Sequence, residues 1–170
     1  MAFWNRRSAK QTEEQAWLTV LAPVSGDVVR LNDVPDPVFA QRMVGDGAAV
    51  NPTSDTLVAP VDGTLTNLFP TGHAAGITTD QGMEVLIHIG MDTVELKGQG
   101  FEKLTEQGQR VTTGTALIRM DLETLRTTAK SVVTPVVVTN MAQIEELVIT
   151  DQPHVEAGKD WLFKVKIKRG

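Results

Sequence analysis

The chain has 170 residues, 41% of them hydrophobic, and its 16 Lys and Arg against 21 Asp and Glu leave a net charge of −5. That length and apolar content suit one domain with a real core and no covalent staples. With no cysteine, thiol catalysis, disulfides and cysteine-ligated zinc or iron–sulfur centres are excluded, so a metal would have to be held by His and carboxylate. The acidic balance, together with only 5% aromatics and no Tyr, argues against a nucleic-acid partner, which needs a basic stripe and stacking platforms. No apolar run approaches the roughly 20 residues that span a bilayer, and the N-terminus lacks a signal-peptide core. The expectation is a soluble, cytoplasmic chain.

Residues 1–16 read as a flexible N-terminal segment. Phe3 and Trp4 followed by Arg6, Arg7 and Lys10 give it a membrane-seeking character, since each base near an acidic surface adds about 1 kcal/mol. From Trp17 onward, glycines and prolines bound short runs rich in Val, Leu, Ile and Thr, the rhythm of an all-β domain. Strands are predicted over residues 17–22, 27–31, 56–59, 63–69, 75–79, 83–89, 115–120, 132–139 and 161–168. In the last, Trp161, Phe163, Val165 and Ile167 alternate with Lys164, Lys166 and Lys168. One short helix is predicted after Asp121 as N-cap, with Leu122, Leu125 and Ala129 on one face and Arg126 and Lys130 toward its C-terminal end. A second, weaker helix is predicted over 140–148 from the stripe Met141, Ile144 and Val148. The predicted fold class is all-β, an antiparallel β-sandwich or flattened barrel with short helical turns.

Two pentapeptides nearly repeat, APVSG at Ala22–Gly26 and APVDG at Ala59–Gly63, and each precedes an apolar strand. They are read as two related hairpin units inside one domain.

Chemistry centres on histidine. Of three, His154 lies in a polar stretch and reads as a surface residue, whereas His73 and His88 fall on neighbouring strands joined by a short turn, Thr79 to Gly82. Strand parity puts Met83, Val85, Ile87 and Ile89 on the core face and Glu84, Leu86 and His88 on the other. An apolar setting disfavours imidazolium and keeps a neutral, nucleophilic nitrogen available near neutral pH. Three functions use such a pair. A phosphocarrier needs one imidazole to attack phosphorus and a second donor to hold the phosphoryl oxygens. A zinc-dependent hydrolase would take both as metal ligands, but Ile77 and Leu86 stand where further ligands would be sought. A biotinyl or lipoyl carrier would begin like Ala59–Gly63, but no lysine sits in the required hairpin.

Several segments in order, DVPDPVFA at 33–40, VGDG at 44–47, APVDGT at 59–64, LIHIGMDTVEL at 86–96 and TPVVVTN at 134–140, resemble the glucose-specific enzyme IIA component of the bacterial phosphoenolpyruvate-dependent sugar phosphotransferase system. The resemblance implies a IIA phosphocarrier domain over 17–170. It implies that His88 accepts a phosphoryl group from the histidine phosphocarrier protein and that His73 hydrogen-bonds that group. The resemblance also implies that Thr71 orients His73 and that the Gly90 carbonyl fixes the tautomer of His88. The implied acceptor of that phosphoryl group is the IIB domain of a sugar permease. The implied partner interface is an apolar ring of Phe39, Val44, Phe69 and Leu86, with Asp36 and Asp92 at its rim suited to a basic surface. No cofactor is implied for transfer. Zinc at a partner interface is implied as a shared site on His73 and His88. Glycerol kinase, non-phosphotransferase permeases and adenylate cyclase are the implied regulatory partners. Leu86 and Ile89 stand where some relatives carry phenylalanine, and Gly72 where asparagine is common.

Overall fold

A computed structural model of the protein describes residues 17–168. The predicted membrane-seeking segment lies outside the described residues. Fourteen strands run in order: β1 Trp17–Leu21, β2 Gly26–Val29, β3 Asp46–Pro52, β4 Thr56–Val58, β5 Gly63–Leu68, β6 Ala74–Thr78, β7 Glu84–His88, β8 Phe101–Lys103, β9 Arg110–Val111, β10 Ala116–Met120, β11 Thr134–Val138, β12 Ile144–Ile149, β13 His154–Val155 and β14 Trp161–Ile167. They form one eight-stranded sheet, β13-β2-β3-β11-β7-β6-β5-β9, and two three-stranded sheets, β1-β14-β12 and β4-β10-β8. Every strand pair is antiparallel. The β-sandwich class expected from sequence is the fold observed.

One main core joins the three sheets, with Val20, Phe163 and Val165 from the first small sheet, Leu57, Leu117 and Ile118 from the second, and Leu65, Ile77, Val85, Ile87 and Val136 from the large one. A smaller cluster of Leu31, Val34, Phe39, Ala49, Met91 and Val137 lies apart from it. Strand alternation produces both, because β11 sends Val136 and Val138 to the main core and Val137 to the smaller one.

The two pentapeptides do the same work twice. The residue directly before each copy donates to the proline carbonyl of the other, Leu21 N–H to Pro60 O at 3.0 Å and Val58 N–H to Pro23 O at 2.8 Å. Ala22 O accepts from Gly158 N–H at 2.8 Å, and Ala59 O from Gly114 N–H at 2.9 Å. The one variable position supplies an oxygen in both copies. Ser25 Oγ accepts from Ala157 N–H at 2.9 Å, and Asp62 Oδ1 from Thr113 N–H at 2.7 Å. Each closing glycine is demanded by close approach, since a Cβ would stand 2.0 Å from Asn51 O at Gly26 and 2.3 Å from Thr78 O at Gly63.

Three local expectations are corrected. Residues 140–148 are not a helix: one 3₁₀ turn, Met141–Gln143, leads into β12, whose pairing with β14 overrides the helical spacing of its apolar residues. β3 was not among the expected strands, since its glycine, alanines and proline carry little strand propensity. All of Gly47 to Val50 are buried, and a Cβ on Gly47 would meet Val136 O at 2.1 Å, so small residues are what this packed strand needs. The strand expected to reach Leu31 ends at Val29, and Leu31 opens a 3₁₀ turn and is fully buried. The predicted helix after Asp121 is present as Leu122–Thr128, with the Asp121 carboxylate accepting from Thr124 N–H at 3.1 Å.

Candidate functional site

β7 alternates as its sequence dictates: Val85 and Ile87 are 1% and 0% exposed, while Leu86 and His88 are half-buried on the opposite face. His88 ends the strand and pairs with Ala74, the first residue of β6. The ladder extends one step further, Ile89 N–H donating to His73 O at 2.7 Å. This places the two imidazoles together, their centroids 5.2 Å apart and their planes at 77°. Phe39 lies 5.3 Å from His88 and Phe69 5.2 Å from His73, so four rings stand in a row: Phe39, His88, His73, Phe69.

The two histidines are held differently. Nδ1 of His88 lies 2.8 Å from Gly90 O. A carbonyl only accepts, so Nδ1 carries the hydrogen and the neutral ring presents its lone pair on Nε2. Nδ1 of His73 contacts Thr71 Oγ1, a hydroxyl that both donates and accepts. Burial pushes the pKa of His88 below its ordinary value, opposed by the Gly90 hydrogen bond and the charges of Asp36 and Asp92. Burial also lowers the pKa of His73, and His88 adds to that shift. Both rings are therefore predominantly neutral at neutral pH.

Asp36 is half-buried and caps the four-residue helix Pro37–Ala40, accepting from Val38 N–H at 2.9 Å. Asp92 is exposed, and its field reaches His88. Phe69 is 37% exposed, and Val44 and Leu86 are half-buried. Phe39 departs from the expectation of an exposed ring member. At 6% exposure it belongs to the smaller core and backs His88. The apolar surface on these segments comes instead from Val38, Met43 and Val94, which are 42%, 71% and 53% exposed. Val38 and Val94 stand inside two of the quoted segments, so the signal was present. What sequence cannot tell is which member of the Val38-Phe39 pair turns outward.

His154 is exposed as expected, on β13 with Nδ1 3.1 Å from Asp27 Oδ1. Among the described residues no group of three or more His, Asp or Glu side chains converges to hold a metal. Among the described residues the hydrolase reading thus finds no third protein ligand. No helix of the described residues is long and apolar enough to cross a membrane.

Comparison with known proteins agrees with this geometry. Residues 18–144 match the family described as phosphoenolpyruvate-dependent sugar phosphotransferase system, EIIA 1. The chain is 42% identical over 159 residues to the glucose-specific EIIA component of the phosphotransferase system of Staphylococcus epidermidis, covering 94% of this chain and 95% of that one. It is 44% identical over 156 residues to the same component of Staphylococcus aureus, covering 92% and 94%. The solved structure of glucose permease IIA from Mycoplasma capricolum superposes with a TM-score of 0.82 at 42% identity, covering 87% of this chain and 95% of that one. Matches of this length, on the fold that brings two neutral imidazoles together, identify the chain as a member of the EIIA 1 family, a component of the phosphoenolpyruvate-dependent sugar phosphotransferase system.

Proposed function

We propose that the protein carries phosphoryl groups on Nε2 of His88, taking them from the histidine phosphocarrier protein and giving them to the IIB domain of a glucose-type permease. The observation that carries this reading is the pair of neutral imidazoles in contact, one with its tautomer set by a backbone carbonyl. In the forward step the Nε2 lone pair of His88 bonds to phosphorus while the P–N bond of the donor breaks and the donor ring recovers its lone pair. The proton stays on Nδ1, donated to Gly90 O, and the ring, made cationic by its new bond, is stabilised by that carbonyl and by Asp36 and Asp92. His73, with Thr71 donating to its Nδ1, keeps a hydrogen on Nε2 for a phosphoryl oxygen. Onward transfer is the reverse exchange with the IIB nucleophile.

Docking uses Val38, Met43, Phe69 and Val94 for non-directional contact, and Asp36 and Asp92 for a basic partner. The same face suits the regulatory partners that the resemblance implies. Transfer needs no metal. His73 and His88 offer two ligands to zinc, and the remainder would have to come from a partner carboxylate. The reading is tested with phosphoenolpyruvate, enzyme I and the phosphocarrier, followed by mapping of the modified residue. Acid-labile, base-stable label on His88 is expected; label elsewhere overturns the assignment. Transfer is expected to persist in chelator, and a loss that zinc restores would make the metal part of the chemistry.

A further inference from the structure

The carbonyl that sets the His88 tautomer is itself held in place, and the residue that holds it lies outside the ring of groups described so far. Gly90 has φ +74°, and a Cβ there would stand 2.7 Å from Ser131 O and 2.8 Å from Thr93 Cγ2. A glycine in this region is otherwise free to rotate. Two hydrogen bonds remove that freedom, one on each neighbouring peptide plane. The Gly90–Met91 plane, which includes Gly90 O, is clamped by Met91 N–H donating to Ser131 O at 2.9 Å. The Ile89–Gly90 plane is clamped by the Thr93 hydroxyl donating to Ile89 O at 2.6 Å. Thr93 is 0% exposed, so this bond is shielded from water and its loss would leave a buried carbonyl without that donor. The N–H of Ile89 is already committed to His73 O, so one residue ties both histidines to the turn.

We propose that Thr93 is a positioning residue for the phosphoryl acceptor: its hydroxyl holds the Ile89 carbonyl, and that bond aims the Gly90 carbonyl at His88 Nδ1. A buried threonine of merely structural value needs only shape and a satisfied hydroxyl. This one controls which nitrogen of His88 carries the proton, and hence whether the Nε2 lone pair faces outward. The role rests on the reading of His88 as acceptor, but its primary readout does not.

The experiment is long-range ¹⁵N NMR of His88 in the full chain, with the rate of phosphoryl acceptance measured beside it. Wild-type protein is expected to show the Nδ1–H tautomer. Thr93→Val keeps the shape and removes the donor. It is expected to give a mixture of both tautomers and to slow acceptance about tenfold, since displaced groups cost rate steeply. Thr93→Ser restores the donor and is expected to restore the wild-type tautomer. If Thr93→Val does not fold, Thr93→Ala against Thr93→Ser makes the same comparison. A folded donor-less variant that keeps the Nδ1–H tautomer and the wild-type rate overturns the proposal, as does a Thr93→Ser protein that behaves like Thr93→Val. Absence of label on His88 in wild type overturns the acceptor reading instead, while the tautomer spectrum still decides what Thr93 does.

Discussion

The end of β7 and the turn before β6 each deliver an imidazole to the same spot, yet they secure it by opposite means. His88 is tied to a backbone carbonyl and is half-buried; His73 is tied to a side-chain hydroxyl and is 5% exposed. A carbonyl fixes one tautomer, whereas a hydroxyl tolerates either. A nucleophile needs a lone pair that is always on the same nitrogen. A group that stabilises charge on a passing phosphoryl benefits from a partner that can adapt. The difference between the two holders supports the proposed reading of His88 as acceptor and His73 as helper, which their shared residue type does not.

The sharpest way to break this division is to remove each ring in turn. His88→Gln is expected to reduce phosphoryl acceptance to background, because on the proposed reading His73, with Thr71 donating to its Nδ1, presents an N–H rather than a lone pair to the phosphoryl group. His73→Gln is expected to accept but to pass the group onward about 10²-fold more slowly, the scale of losing one donor to transition-state charge. Label uptake and transfer to IIB separate the two steps. Equal loss of acceptance in both variants would abolish the distinction.

The second contrast is between the two phenylalanines that flank the imidazoles. Phe39 lies in the smaller core with Leu31, Val34 and Met91, whereas Phe69 is 37% exposed. Phe39→Asp strips a buried ring and leaves a carboxylate in its place, at an expected cost of at least about 3 kcal/mol. Thermal melting should show it at once. Phe69→Asp should melt within about 1 kcal/mol of wild type and bind the phosphocarrier more weakly. A Phe39→Asp protein with wild-type melting would return Phe39 to the surface.

How far these roles were legible in the sequence depends on whether a residue obeys a period. The parity of β7 was readable because Val85, Ile87 and Ile89 alternate strictly with Leu86 and His88. The paired turns were readable because a five-residue string occurs twice. β12 was misread because a bulge between Ile144 and Glu146 breaks its alternation and leaves apolar residues at helical spacing. β3 was missed because a strand crowded on both sides is built of Gly and Ala, which carry no strand signal. The site pair was found from residue type and strand pairing, while the roles of Thr71 and the Gly90 carbonyl came only through the family resemblance. Thr93 had no signal at all, since a threonine opening a short 3₁₀ helix, here Thr93–Leu96, looks the same whether or not it holds a carbonyl.

Acid gives a smaller effect that tests both rings together. Burial depresses both histidine pKa values in the folded state, so the unfolded chain binds more protons than the folded one as pH falls below about 6.5. The stability due to the neutral pair is complete above that value and is lost progressively as pH falls through the folded pKa values. Melting temperature measured between neutral and mildly acidic pH should decline, and the decline should be shallower in His73→Gln, which has one fewer group to protonate. An unchanged slope would mean that the folded state protonates His73 as readily as the unfolded chain does, so that burial does not depress its pKa.

The smallest expected effect concerns the paired turns, where equivalence replaces difference. Ser25 and Asp62 occupy matching positions and each accepts one backbone N–H, but only Asp62 brings a charge, and it also accepts from Thr113 Oγ1 at 2.8 Å. The Thr113 hydrogen bonds pull the Asp62 pKa below its ordinary value. A depressed carboxylate stabilises the fold above its unfolded pKa and loses that contribution as pH falls through the folded one. Asp62→Ser should therefore keep the backbone contact, as Ser25 does, and cost less than Asp62→Ala, for which about 1 kcal/mol is expected. It should also remove the share of acid sensitivity below about pH 4 that belongs to this turn. Chemical denaturation at neutral and at strongly acidic pH measures both quantities. If Asp62→Ser proves as costly as Asp62→Ala, the two turns share a sequence and a backbone path without sharing the interaction that their variable residue makes.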